Sequence, residues 1–274
     1  MNIRLSGLLL LVLVSLAGCR PEAPAKPAPP ATDASPKGTS TVSVAAASDL
    51  KFAFDELVRD FEKASPGTKV TVTYGASGKF FAQLSNKAPF DLFLSADIAY
   101  PQKLIEQGHA AAGSEFHYAD GQIVLWVRND SPINLEEAGA KAVLDPSVRK
   151  VAIANPEHAP YGRAAQQALK SLDLYTEIEP KLVLGENIAQ TAQFVESGGA
   201  DIGVLALSLA LAPALSEKGR YWILPPSAYQ PIRQGGVILN WAADRSAAER
   251  LRDHLLSERG RAALSHFGFH APGE

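Results

Sequence analysis

Four short stretches of this chain have residue types and spacing suited to holding an anion: Ala47-Ser48-Asp49, Ala76-Ser77-Gly78, Pro160-Tyr161-Gly162 and Glu186-Asn187-Ile188. Each follows an apolar or β-branched run and precedes residues with helical spacing, so each reads as a strand, a short turn and a helix start. A helix start leaves backbone N–H groups without intrahelical acceptors and carries the positive end of the helix dipole. An anion is the natural partner of such a place. Apart from Lys79 and Arg163, each just inside a helix and read as part of a solvated face, no basic residue stands at the junctions. The donors are therefore neutral. Each N–H···O⁻ bond contributes roughly 1.5–3 kcal/mol, so a cleft with several of them reaches nanomolar affinity, about −12 kcal/mol, without a cation. Taken singly, Ser48, Ser77 and Asn187 are adequate helix caps with no ligand.

The elements that must position these residues are legible as a regular alternation. The first strand, 42–46, runs into a helix with Ser48 as its expected N-cap. Leu50, Ala53, Phe54, Leu57, Val58 and Phe61 then fall on one helical face. Further strands are expected at 68–74, 90–95, 122–128, 150–154, 181–184, 202–205 and 233–239. Helices are expected at 99–107, stopped by Gly108, at 163–172, at 188–196, closed by Gly198-Gly199, and at 247–256 and 261–267. Strands alternating with helices imply an α/β fold with mostly parallel sheets flanked by helices, whose ligands bind at the carboxyl ends of the strands. Two junctions precede the polar break Asn129-Asp130-Ser131-Pro132 and two follow it. The expected architecture is thus two lobes around a cleft: lobe I from 41–121 and 232–274, lobe II from 122–231. Crossings near Gly121-Gln122 and near 230–235 would form a hinge for rigid-body closure.

The first 40 residues belong to a different class. Residues 1–18 combine Arg4 with the apolar run Leu8-Leu9-Leu10-Leu11-Val12-Leu13-Val14, too short for a membrane span but suited to a signal peptide. Leu16-Ala17-Gly18-Cys19 resembles a bacterial lipobox, which makes Cys19 the expected lipidation site and residues 19–40, with six prolines, a tether. Cys19 is the only cysteine, so no internal disulfide forms. The net charge of −3, with no basic run, excludes a nucleic-acid binder. The six histidines lack the paired spacing of a metal site, and no Gly-x-Ser-x-Gly elbow supports a serine hydrolase.

In order along 41–270, four stretches carry a family resemblance: Ala45-Ala46-Ala47-Ser48-Asp49-Leu50, Tyr74-Gly75-Ala76-Ser77-Gly78, Pro89-Phe90-Asp91-Leu92-Phe93-Leu94-Ser95-Ala96-Asp97 and Asn155-Pro156-Glu157-His158-Ala159-Pro160-Tyr161-Gly162. Gly185-Glu186-Asn187-Ile188 and Pro231-Ile232-Arg233-Gln234 extend it. Together they resemble the periplasmic molybdate-binding proteins of ABC-type importers. The resemblance implies a two-lobed, type II periplasmic-binding fold with molybdate, or tungstate, in the interlobe cleft. Ser48 and Ser77 would then give hydroxyl and backbone bonds, and Asp49 and Ile188 their backbone N–H. Tyr161 matches a ligand position in one branch of the family. Another branch uses a tyrosine where this chain has Ala206, and the sequence leaves open whether Tyr161 replaces that contact.

The same resemblance implies a monomeric binding protein rather than an enzyme, with no cofactor and with the importer's permease and ATPase subunits as partners. It would work in the periplasm or at the cell surface, held to a membrane by the lipid on Cys19. Phosphate and sulfate are the competing ligands. Phosphate needs an acceptor for its O–H, which the Asp49 carboxylate would supply. Molybdate, a full dianion, would be repelled by an inward carboxylate, so the Asp49 side chain is expected to turn away as part of the helix cap.

Overall fold

The computed structural model describes residues 40–273. The signal peptide, Cys19 and residues 19–39 of the expected tether lie outside the described residues. Ser40, expected to end the tether, instead opens the first strand and pairs with Thr68. Ten strands follow in chain order: β1 Ser40–Ala47, β2 Thr68–Gly75, β3 Leu92–Ser95, β4 Phe116–Gly121, β5 Ile123–Arg128, β6 Val151–Ala154, β7 Leu182–Gly185, β8 Ile202–Ala206, β9 Gly219–Ile223 and β10 Ile232–Ile238. The helices are α1 Lys51–Ala64, α2 Ser77–Ser85, α3 Ala99–Glu106, α4 Leu135–Ala138, α5 Pro160–Ser171, α6 Tyr175–Ile178, α7 Ile188–Glu196, α8 Leu207–Leu211, α9 Pro213–Ser216, α10 Arg245–Leu256 and α11 Glu258–His266. A 3₁₀ turn, Ser48–Leu50, leads into α1.

The strands form two five-stranded sheets of one design, β2-β1-β3-β10-β4 and β7-β6-β8-β5-β9. In each, the fourth strand runs against its neighbours: β10 is antiparallel to β3 and β4, and β5 to β8 and β9. Both odd strands are the first after a crossing. The chain leaves the first sheet at Gln122, between β4 and β5, and returns through 224–231, between β9 and β10. The two passages are tied together. Leu224 N–H donates to the Ile123 carbonyl at 3.1 Å, and Ile123 N–H donates to the Tyr229 hydroxyl at 3.4 Å.

Side chains alternate between sheet faces with a period of two, and lobe I uses both. Val42, Val44 and Ala46 pack with Phe54, Leu57 and Phe61 of α1 and with Leu251 and Leu255 of α10. Ala45 and Phe93 face the other way, toward Phe80, Leu84 and Leu104 of α2 and α3. The lobe II core centres on Ile123–Val127 of β5, all fully buried, with Trp126 among them, and on Ala165, Ala168 and Leu169 of α5. Several expected helix starts move earlier: α5 starts at Pro160 rather than near Arg163, α10 at Arg245 rather than 247 and α11 at Glu258 rather than 261. Proline tolerates the first helical position because its missing N–H has no intrahelical acceptor there. Among the described residues no helix is long and apolar enough to cross a membrane.

Candidate functional site

The carboxyl ends of β1, β2, β6 and β7 lead into the four helix starts, and all four meet. Ser48, Asp49, Ser77, Tyr161 and Ile188 line one cavity, together with Ala47, Gly75, Ala76, Ala96, Ala159, Pro160 and Asn187. The structure therefore brings together every residue singled out for the ligand. The cavity is compact, about 10 Å³, room for roughly one water molecule between the lobes. A larger surface groove of about 510 Å³ between α1 and α11 carries mixed charges and lies away from these junctions.

Ser48 does not cap its own helix. Ala47 holds the extended N-cap position and makes no side-chain cap bond. The Ser48 hydroxyl instead crosses the cleft, donating to Asn187 Oδ1 at 3.2 Å and accepting from Ala189 N–H at 3.4 Å. A lobe I hydroxyl thus stands within hydrogen-bond reach of the α7 N-terminus. Ser77 likewise leaves the N-cap position to Ala76. Its buried Oγ accepts from Ala96 N–H at 3.0 Å, which fixes the oxygen and leaves the O–H to donate.

Lobe II offers backbone. Asn187 is a true cap, its Oδ1 accepting from Gln190 N–H at 3.0 Å, so Ile188 begins α7 with a free N–H. Tyr161 sits in the first turn of α5 after Pro160, and its N–H is similarly unclaimed within the helix. Its side-chain hydroxyl is turned to Asp49, donating to Oδ2 at 3.0 Å. Burial and the neighbouring Asp49 carboxylate push its phenol well above the ordinary range, so it stays a donor. Ala206 itself is fully buried at the start of α8.

Asp49 departs furthest from expectation. Its carboxylate is held chiefly by side chains rather than serving as the helix cap. Oδ2 accepts from Gln234 Nε2 at 2.6 Å and from Tyr161, and Oδ1, also buried, has no partner. The reason is local: the chain enters α1 through a 3₁₀ turn, and donors on β10 and α5 claim the side chain. Burial raises its pKa to about 6, against the pull of the Gln234 and Tyr161 hydrogen bonds and smaller help from the N–H groups of Asp49 and Leu50. Gln234, wholly buried, was missed as a site residue. The signal was available, since strand alternation puts Gln234 on the face opposite exposed Arg233, and a buried amide needs polar partners.

The two cations beside the junctions are not merely solvated helix faces. Arg163 bonds Asp97 Oδ2 at 2.5 Å and the Tyr100 hydroxyl at 3.2 Å, across the cleft. Lys79 pairs with Glu186 at 2.8 Å, again across it, and holds that carboxyl below its ordinary pKa. Both are spent on the facing lobe, and the cavity wall keeps only neutral donors. Gly78 N–H adds a bond to the His158 carbonyl at 2.9 Å. His158 Nε2 lies 2.9 Å from the Glu186 carbonyl and is thereby engaged away from either serine. Among the described residues no group of three or more His, Cys, Asp or Glu could hold a metal ion.

Comparison with known proteins agrees with this geometry. The family model for bacterial extracellular solute-binding proteins matches residues 42–270. The molybdate-binding protein ModA of Rhodobacter capsulatus is 38% identical over 203 residues, 74% of this chain and 78% of that protein. ModA of Azotobacter vinelandii is 38% identical over 228 residues, 83% of this chain and 89% of its own. The solved Azotobacter vinelandii periplasmic molybdate-binding protein superposes with a TM-score of 0.79 at 32% identity, over 84% of this chain and 99% of that one.

Proposed function

Because the chain belongs to the bacterial extracellular solute-binding proteins, in their molybdate-binding (ModA) branch, we propose that it captures molybdate between its lobes and delivers it to the permease of an ABC importer. One observation carries the reading: helix starts from two separate sheets converge on a compact cavity lined by neutral donors, while the nearby cations pair with carboxylates of the facing lobe. Such a site binds an oxyanion through its oxygens, with the metal reached only as their centre. Ser48 and Ser77 supply hydroxyls, and the N–H groups of Asp49, Tyr161 and Ile188 supply the rest. Preorganised dipoles replace the water shell of the ion without placing a full counter-charge beside it. Tungstate has the same charge and nearly the same size, so it binds too. Sulfate, smaller, leaves the donors too far apart.

The protein is a carrier rather than a catalyst. Its partners are the permease and ATPase subunits, and it acts in the periplasm as a monomer, held at a membrane by the lipid on Cys19. A second reading has one observation in its favour. Asp49 Oδ1 is buried without a partner, and the O–H of a protonated phosphate would give it one.

Calorimetric titration of the purified protein with molybdate, tungstate, sulfate and phosphate separates these readings. Tight binding of the first two, with no competition from the others, is expected. Phosphate binding in their place would assign the protein to another importer.

A further inference from the structure

Behind the oxyanion cavity four buried side chains form one network that reaches both lobes and both crossing strands. Tyr118, on β4 just before the Gln122 crossing, shares its one O–H between Gln234 Oε1 at 2.9 Å and the Ser95 carbonyl at 3.0 Å. Gln234, on β10 just after the return crossing, donates to Asp49 Oδ2 at 2.6 Å and to the Tyr161 hydroxyl at 2.9 Å. Tyr161 closes the circuit on Asp49 at 3.0 Å. Asp49, Tyr118 and Gln234 all belong to lobe I, and Tyr161 alone comes from lobe II. Rotation of the lobes about the crossings therefore breaks this network at one place, the Tyr161 hydroxyl.

Gly121 shows how closely that hydroxyl is fitted. A Cβ at this position, the last residue before the crossing, would overlap the Tyr161 oxygen. The hydroxyl can reach Asp49 only because the hinge residue has no side chain. The neutral ties Ser48 to Asn187, Gly78 N–H to the His158 carbonyl, and the buried Ser208 hydroxyl to the Asp49 carbonyl at 2.9 Å leave the Asp49 carboxylate untouched, and the charged ties are different in kind. Lys79–Glu186 and Arg163–Asp97 sit at the rim with side chains roughly a third to a half exposed, where water and salt weaken them.

We propose that Tyr161 and Gln234 are positioning residues for closure, forming with Asp49 a buried latch that is complete only when the lobes are shut and that sets the rate at which the captured oxyanion leaves. The inference rests on the oxyanion-binding reading above and adds residues that hold the lobes rather than the ligand. On opening, the Asp49 carboxylate loses one of its two donors at the moment water enters the cleft. Release must break that hydrogen bond, whereas capture by the open form does not. The latch therefore acts on dissociation and leaves association alone.

The test is a chase of protein-bound radiolabelled molybdate with excess unlabelled molybdate, paired with association rates, for wild type, Tyr161→Phe, Gln234→Leu, Lys79→Ala and Arg163→Ala. Tyr161→Phe keeps the ring and the backbone N–H that faces the ligand. It is expected to speed dissociation about tenfold or more with association changed less than about twofold, the equivalent of one hydrogen bond to a charged group. Gln234→Leu should move the same way, and if it fails to fold, Tyr161→Phe decides alone. The two rim variants should change dissociation by less than about threefold. A Tyr161→Phe protein that releases molybdate at the wild-type rate, or rim variants that release as fast as Tyr161→Phe, overturns the latch alone. Wild type that retains no label overturns the molybdate reading, and the latch on molybdate release with it.

Discussion

Lobe I and lobe II are two copies of one plan that have divided the work of holding an ion. Both have the strand order edge–β–β–reversed–β, and both place helix starts after corresponding strands, β1 and β2 against β6 and β7. Lobe I presents side chains there, the hydroxyls of Ser48 and Ser77. Lobe II presents backbone, while its junction side chains do other work: Asn187 caps α7 and Tyr161 bonds Asp49. In the proposed site, position in the fold, rather than residue type, is what suits these places to an anion. A hydroxyl is an addition to a donor the backbone already supplies.

The sharpest way to break the comparison is to stop the halves from meeting. A Cβ on Gly78 would lie 2.8 Å from the His158 carbonyl oxygen of the facing lobe. Gly78→Ala should weaken molybdate binding about a hundredfold or more in calorimetry, while adding up to about 1 kcal/mol of helix propensity to the fold. Opposite signs in affinity and melting temperature would identify a closure defect.

Next in size is the cost of the carboxylate that lobe I keeps behind its hydroxyls. The unfolded Asp49 titrates near 3.8 and the folded one near 6. Between those values the folded chain holds a proton that the unfolded chain has lost, so stability falls as pH rises from about 4 to 6. The loss is about 3 kcal/mol. Asp49→Asn should flatten that slope in denaturant titrations across the window, and an unchanged slope would assign the titration elsewhere.

Ser48→Ala and Ser77→Ala should each weaken molybdate binding roughly tenfold or more, since each removes a hydrogen bond to a charged group. Lobe II should respond to the backbone instead. Ile188→Val is expected to change affinity less than about threefold. Ile188→Pro deletes the N–H at a first helical position that accepts proline, after Asn187 in extended geometry, and should cost about tenfold. Equal effects of the two Ile188 variants would mean that lobe II reads side chains after all.

The junctions were legible because strand, turn and helix start are punctuated locally, and α7 was found to the residue because Asn187 and Gly198 mark its ends. The alternation also gave the two lobes. What was hidden depends on distant partners. Strands β9 and β4 were not anticipated: β9 is an edge strand whose Tyr221 and Ile223 stay exposed, and β4 mixes His117 and Asp120 among its apolar residues. Nothing in the spacing told that Ser48 would reach across to Asn187, or that Lys79 and Arg163 would find carboxylates on the opposite lobe. Local pattern shows where a helix begins; only the assembled fold shows what its first side chains touch.

The place of β10 has a further consequence for how the molecule comes into being. All five strands of the second sheet lie in one uninterrupted stretch, 123–223, whereas β10 must insert between β3 and β4, strands made more than a hundred residues earlier. Lobe II can assemble as soon as its own stretch is free. Lobe I waits with two open strand edges, vulnerable to wrong pairing, until the last quarter of the chain arrives. Gln234 arrives on that same strand, so the final strand to be placed also brings Asp49 its strongest partner. A chain that ends early can own a well-formed second lobe and still be unable to hold an ion.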